Sequence, residues 1–262
     1  MTPSEANSVA SPAGSVEGLV RGNVGVVTLS RPGKHNAMTR LMWTELPRVI
    51  NALSAEPDVV SIVIRGADRS FSAGADLTEV LAATENLEAA TAYCATVVDA
   101  LLSLATCPKP TIAALRGVAA GGGAELALAA DLRFAEESAS LQLPLARIGV
   151  VPDDFTLRRL LALGGPAVAR LLLFGGRAMT AERCLQMGLV DAVSPDGGLD
   201  DDIDVHVRAF SAASPYAVRE IKALLIADEI GTDTEQLVSG MARSFVSGDV
   251  AKSARQFVAK GA

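Results

Sequence analysis

Only two histidines, His35 and His206, occur in 262 residues. A histidine-rich metal cluster and a Ser-His relay are therefore poor fits to this chain, and no metal site is expected. Cysteine is nearly as scarce: Cys94, Cys107 and Cys184 are odd in number and lack metal-ligand spacing. Reduced thiols in a cytoplasmic protein are the expectation. Basic residues are outnumbered, with 23 Lys and Arg against 30 Asp and Glu, a formal net charge of −7. With a pI of about 5.0 and no basic stripe, nucleic acid is not an expected partner. No stretch of 18 uninterrupted apolar residues is present, so no membrane span is expected. The longest candidate, Thr111 to Ala130, is broken by Arg116, Glu125 and the triple glycine Gly121-Gly122-Gly123. The opening residues 1–14 are polar and small, with neither an apolar run nor a basic start. They read as a disordered lead-in rather than a signal peptide.

Half the residues are hydrophobic and a fifth are charged, ample for the core of one large domain or of one with a small appendage. Two strands, Val16–Arg21 and Val24–Ser30, flank a Gly22-Asn23 turn. Thr39 has the position of a helix N-cap, and Pro47 is expected to kink or divide the helix that follows. Strands then alternate with helices to about residue 195: Asn86 or Glu88 begins one helix, Gly164-Gly165-Pro166 separate two more, and Thr180 is placed to cap another. Helical patterns at Asp202–Ala213, Tyr216–Ala227, Thr232–Ser247 and Asp249–Lys260 follow without further strands. This predicts an α/β core over 15–200 and a helical subdomain over 201–262. Val205, Ile221, Leu224, Leu225, Leu237, Met241 and Phe245 give that subdomain more apolar surface than a short appendage is expected to bury alone.

The chain centres on Lys109 to Phe134, KPTIAALRGVAAGGGAELALAADLRF. Prolines precede a short β-branched and apolar run, and glycines follow it, which brackets a buried strand. Gly121-Gly122-Gly123 then lead into an apolar helix whose free N–H groups favour negative charge. A strand, a glycine loop and a helix start together form a place to stabilise an oxyanion. The helix is apolar on every face except for Glu125. On the residues alone, Glu125 either complements the helix dipole or is a buried acid with a pKa raised toward proton transfer. A second loop, Phe71-Ser72-Ala73-Gly74-Ala75-Asp76-Leu77, repeats the layout of strand, glycine turn and helix entry. GxGxxG and Gly-Lys-Ser/Thr are both absent, which disfavours dinucleotide and nucleoside-triphosphate sites.

Taken together, LSRPGKHNAM (29–38), SFSAGADL (70–77), KPTIAALRGVAAGGGAELALAADLRFA (109–135) and GRAMTAERCLQMGLVDAV (176–193) resemble the enoyl-CoA hydratase/isomerase, or crotonase, superfamily. The resemblance implies a crotonase-like spiral of ββα turns with a C-terminal helical trimerisation subdomain, assembled as a homotrimer or a dimer of trimers. It implies acyl-CoA thioester substrates, with coenzyme A entering as part of the substrate and no separate cofactor. The backbone N–H groups of Ala75 and Gly122 would form the oxyanion hole, and Glu125 matches the first catalytic acid. Lys34, Ala73, Asp76, Leu77, Leu145 and Lys260 would border the CoA or acyl portion, although Lys34 and Lys260 read equally well as solvated charges.

The second acid of family hydratases follows a proline, where this chain reads Gln142-Leu143-Pro144-Leu145. Leu145 replaces it. Asp153 falls where dienoyl-CoA isomerases of the superfamily carry an acid, and it is also placed to cap a helix. Hydration of a 2-enoyl-CoA is the nominal reaction. Enoyl- or dienoyl-CoA isomerisation by Glu125 and Asp153 is the alternative, as is non-catalytic acyl-CoA binding.

Overall fold

The Gly22-Asn23 turn joins β1 (Ser15–Arg21) to β2 (Val24–Ser30), which pair antiparallel with Arg21 opposite Val24. In this computed structural model residues 13–230, 242–243, 245–246 and 249–260 are described, without the side chains of 228–230, 249, 253, 257 and 260. The expected lead-in therefore lies almost wholly outside the described residues. From β2 the sheet continues in parallel through β3 (Ser61–Gly66), β4 (Thr111–Leu115), β6 (Leu132–Glu136) and β9 (Ala192–Ser194). Strands β3 and β4 are almost continuously apolar because both of their faces are covered.

A smaller sheet holds β7 (Ser140–Gln142) between parallel β5 (Val118–Ala120) and antiparallel β8 (Met179–Thr180). Only Arg116-Gly117 separates β4 from β5, so one segment crosses from the large sheet to the small one and then enters α4 (Gly122–Ala129). The same course recurs in β6, β7 and α5 (Leu145–Ile148). These are turns of a ββα spiral. The short elements β5 and α5 have too few residues to show a period, and the sequence alone did not reveal them.

One face of the large sheet lies under α1 (Arg40–Ala55), α3 (Leu87–Ala105) and α4, whose buried side chains share one core. Thr39 and Asn86 cap the first two through the N–H groups of Met42 and Ala89. Pro47 does not divide α1, which runs unbroken through it. Burial of Met42, Trp43, Leu46, Ile50 and Leu53 on one stripe outweighs the single hydrogen bond that the proline removes. By length and composition α3 is long and apolar enough to cross a membrane, but nine of its residues are buried in the core. The other face is covered by α8 (Leu199–Ser211), where Leu199, Ile203 and Val207 recur every fourth residue against Val63, Ile112 and Phe134. Helix α8 starts where the sequence suggested that the appended helices begin, yet it packs directly on the sheet.

Helix α6 (Asp154–Gly175) spans the two helices expected from sequence, which join at a non-helical kink at Gly165 (φ +73°, ψ 178°), within the expected break at Gly164-Gly165-Pro166. Thr180 caps α7 (Ala181–Gln186), as its position suggested. Helix α9 (Pro215–Ile230) packs on α6, and α10 (Asp249–Lys260) packs on α2 (Leu77–Ala83) and α5. Val205, Ile221, Leu224 and Leu225, expected on an apolar C-terminal surface, are exposed. Phe245, grouped with them from sequence, is buried against Tyr93, with ring centroids 5.8 Å apart. Leu237 and Met241, from the same group, lie outside the described residues.

Helix α9 is fastened by Lys222, whose Nζ donates to Asp131 Oδ2 at 2.7 Å and to the Lys109 carbonyl at 3.0 Å. Asp131 in turn accepts from the Thr111 N–H and hydroxyl, at 2.7 and 2.9 Å. Lys222→Ala leaves this partly buried carboxylate without its cation. The expected loss is about 1–3 kcal/mol of stability, as for one charged hydrogen bond. Thermal unfolding with limited proteolysis within α9 measures it; an unchanged midpoint would mean that the pair adds nothing.

Candidate active site

Asn36 ties together the loops that build the site. It is 2% exposed and sits at φ +54°, a conformation that asparagine tolerates better than most residues. Its Nδ2 donates to the carbonyls of Ala67 and Ser70, both at 2.8 Å, and its Oδ1 accepts from the Arg31 N–H at 3.0 Å. The Ser72 hydroxyl donates to the Asn36 carbonyl at 2.8 Å and accepts from the Gly74 N–H at 3.1 Å. Main-chain bonds Met38 N–H to Gly74 O (2.7 Å) and Asp76 N–H to Met38 O (2.9 Å) leave Ala75 between two engaged neighbours. Sequence reasoning noticed this loop for Lys34 and His35 and passed over Asn36. An asparagine at the end of a polar, glycine-containing loop was the available signal.

Across the cleft, the Ser72 N–H donates to Val118 O and the Ala120 N–H to Ser72 O, at 3.0 and 2.9 Å. The start of α4 is thereby drawn onto the second loop. Gly74 adopts φ +90°, and a Cβ there would lie 2.4 Å from the Ala120 carbonyl and 3.0 Å from Gly122 N. A Cβ on Gly122 would lie 3.5 Å from Ala75 N. The two N–H groups expected to act together are thus neighbours in space. Among the described residues neither donates to a protein acceptor, and Gly121, the N-cap of α4, supplies no side-chain cap. Free N–H groups at a helix N-terminus facing a second free N–H can receive an oxyanion. At the far end of α4, Arg159 donates to the carbonyls of Leu128 and Ala130, both at 2.9 Å, which satisfies the C-terminus.

These N–H groups open on a cavity of about 200 Å³ lined mainly by apolar side chains, with Ala73, Ala75, Leu77, Gly122, Glu125 and Leu145 among its walls. Glu125 is the one carboxylic residue among the described cavity-lining residues. It is 3% exposed, and its Oε1 has no hydrogen-bond partner. Burial first, and the nearby charge of Asp153 second, push its pKa up from 4.5 to about 8. The favourable dipole of α4 does not offset that desolvation. Asp153 is 1% exposed and caps α6 by accepting from the Thr156 N–H at 2.9 Å, while its Oδ2 is unpartnered. It does not line the cavity, and burial raises its pKa too. Cys94 stands near both acids; burial, then Glu125 and Asp153, push its thiol up to about 12.

A profile of the enoyl-CoA hydratase/isomerase family matches residues 20–261. The chain belongs to that family. It is 34% identical over 213 residues to the human mitochondrial Delta(3,5)-Delta(2,4)-dienoyl-CoA isomerase, covering 76% of this chain and 64% of that protein. The match therefore spans slightly under two thirds of that relative's length. A probable enoyl-CoA hydratase of Rhizobium meliloti is 34% identical over 205 residues, 78% of each chain. Among solved structures, an enoyl-CoA hydratase/isomerase family protein from Hyphomonas neptunium superposes with a TM-score of 0.79 at 31% identity, covering 94% of this chain and 95% of that one. Enoyl-CoA hydratase from Bacillus halodurans gives 0.84 at 25%, covering 92% and 99%.

Within this family member the remaining expected residues separate clearly. Ala73, Leu77 and Leu145 line the cavity, and Leu145 is 4% exposed at the first turn of α5. Asp76 is not among the lining residues. Its carboxylate caps α2 through the N–H groups of Thr78 and Glu79 and pairs with Arg31 at 2.6 Å. Burial acts to raise its pKa, but the Arg31 hydrogen bond and the two N–H groups hold it below the usual carboxylate value. Lys34 is exposed and does not line the cavity; the Lys260 side chain lies outside the described residues. Among the described residues no three of His, Cys, Asp or Glu are grouped to hold a metal ion.

The raised pKa of Glu125 has a consequence for stability. Between about 4.5 and 8 the folded state binds this proton more tightly than the unfolded chain, so stability falls as pH rises through that window. Glu125→Gln removes the penalty. Its melting temperature is expected to exceed that of the wild type at about pH 9, with the difference vanishing toward about pH 4.5. A difference independent of pH would show that the carboxyl is not neutralised by burial.

Proposed function

We propose that this protein shifts a carbon–carbon double bond within an enoyl-CoA thioester, with Glu125 carrying the proton. The observation behind this reading is the make-up of the cavity wall: Glu125 is its single carboxyl among the described lining residues, and Leu145 stands at the second acid's position. Hydration adds the elements of water across a double bond and calls for a second group to hold and activate that water. Isomerisation needs one carboxylate that removes a proton from one carbon and returns it to another, which a single side chain can do.

In this mechanism the thioester oxygen accepts from the Ala75 and Gly122 N–H groups. Ionised Glu125 takes a proton from the carbon between the carbonyl and the double bond, and the resulting dienolate places its negative charge on that oxygen. The Glu125 carboxylic acid then returns the proton to the far end of the dienolate, which leaves the double bond conjugated with the carbonyl. Preorganised donors of this kind contribute about 10²–10³ in rate each. Asp153 acts through Glu125, as a buried neighbour that keeps its proton affinity high. Coenzyme A enters as part of the substrate, and no separate cofactor belongs to this proposal. Resemblance to the dienoyl-CoA isomerase supports the reading, as does the family's relation to acyl-CoA substrates.

The test monitors conversion of trans-3-hexenoyl-CoA to the conjugated thioester beside hydration of crotonyl-CoA. Isomerisation should exceed hydration, and Glu125→Gln should lower its rate by about 10²–10⁴-fold while thioester binding persists. For the free enzyme, kcat/KM should rise with pH to a plateau above about 8, because the base is the ionised form. Equal rates for hydration would overturn the assignment. Tight thioester binding without turnover at any chain length would make the protein an acyl-CoA binder.

We also propose that copies of this chain cover the face of α9 that carries Tyr216, Ile221, Leu224 and Leu225, between 56% and 76% exposed. Four large apolar side chains on one helix are poorly suited to water. Light scattering at micromolar concentration should give three or six times 27.0 kDa. Leu224→Glu with Leu225→Glu should lower that mass, and a monomeric wild type would refute the idea.

A further inference from the structure

Two polar atoms at the cavity take no part in the chemistry above. Trp43 on α1 is the chain's single tryptophan, and Tyr93 on α3 is one of two tyrosines. Both line the cavity, and they are 0% and 2% exposed. Neither Trp43 Nε1 nor the Tyr93 hydroxyl makes a well-formed hydrogen bond, although the indole N–H lies close enough to the phenol oxygen to interact weakly with it. The indole is held beside the oxyanion donors: a Cβ on Gly122 would lie 3.0 Å from Trp43 Cζ2, two bonds from Nε1. Tyr93 stacks at a tilt on Phe245, which also lines the cavity. Burial raises the phenol's pKa, and a weak hydrogen bond from the Trp43 indole N–H to the phenol oxygen only partly opposes it, so Tyr93 keeps an O–H to donate.

The surroundings make these atoms conspicuous. Val80, Val97, Ile148 and Val150 supply much of the remaining wall. For a plain hydrocarbon tail, phenylalanine would fill either aromatic position without desolvating a polar group. Buried polar side chains in native proteins almost always find a partner, and a buried hydroxyl proton without an acceptor, beside an indole N–H that is only weakly engaged, implies that the cavity's occupant supplies the acceptor. We propose that this site selects acyl groups bearing an oxygen, a carbonyl or hydroxyl on the acyl chain beyond the reacting carbons, which accepts from Trp43 Nε1 and the Tyr93 hydroxyl. The cavity's size of about 200 Å³ restricts such a group to a short chain or single ring, since roughly 150 Å³ holds one benzene. This inference rests on the acyl-CoA reading and names the substrate class within it.

The experiment compares equilibrium binding of hexanoyl-CoA, 4-oxohexanoyl-CoA and 5-oxohexanoyl-CoA to the wild type and to Tyr93→Phe. At least one oxo-thioester should bind the wild type about tenfold or more tightly than hexanoyl-CoA, the effect of one well-made hydrogen bond. Tyr93→Phe should bring that ratio close to one with little change in the melting temperature of the free protein, because the hydroxyl it removes donates to no protein acceptor there. Equal binding of all three thioesters by the wild type, or a preference that survives Tyr93→Phe, overturns the proposal. Failure of all three to bind would instead remove the acyl-CoA reading beneath it.

Discussion

The loop after β3 and the start of α4 meet at main-chain distance. A methyl group on Gly74 would fall 2.4 Å from the Ala120 carbonyl oxygen, and one on Gly123 would fall 2.4 Å from that of Ser72. Only glycine permits backbone to approach backbone so closely, and the rest of the site follows from that approach. It lets Ser72 exchange hydrogen bonds with both sides of Ala119, and it leaves the N–H groups of Ala75 and Gly122 adjacent and unclaimed. Asn36 and the Ser72 hydroxyl hold one side, while Arg159 satisfies the carbonyl end of α4 on the other. The donors are fixed before any ligand arrives, the condition under which they act most strongly on developing charge.

The same burial that orders these donors makes the cavity wall inhospitable to ions. Glu125 lies in the first turn of a helix, where the dipole favours a carboxylate, yet desolvation and Asp153 prevail and raise its proton affinity. An acid so placed can hold a proton near neutral pH and exchange it with a bound carbon acid. Leu145 adds an apolar side chain to the same wall, so the polar groups left to specify an occupant are few. They are the two N–H donors, Glu125, Gln142, and the pair formed by Trp43 and Tyr93.

Much of this was legible in the chain. The spiral's principal strands, the caps at Thr39 and Thr180 and the belonging of the chain to its family all follow from local patterns that act over a few residues. The family assignment rests on ordered motifs extending over most of the sequence. Pro47 misled because helix rules weigh a lost hydrogen bond without the buried stripe that surrounds it. Asp76 shows a different limit of local reading. Its place in the loop is a motif property, but its side chain turned to Arg31 and the α2 N-terminus, partners 45 and two or three residues away.

The sequence by itself determined which backbone could bend and which side chain was anomalous: the glycines at the two loops, the lone acid of an apolar helix, the leucine at the second acid's position. These are statements about single residues and their neighbours, and local sterics and hydrophobicity decide them. Tertiary structure alone decided which of those residues meet. It paired Ala75 with Gly122 across 47 positions of sequence, set Asp153 behind Glu125 rather than in the cavity, and turned Phe245 inward from an expected surface. Proximity between distant residues and the desolvation that shifts a carboxyl's proton affinity are properties of packing. They come into existence only when the chain closes on itself.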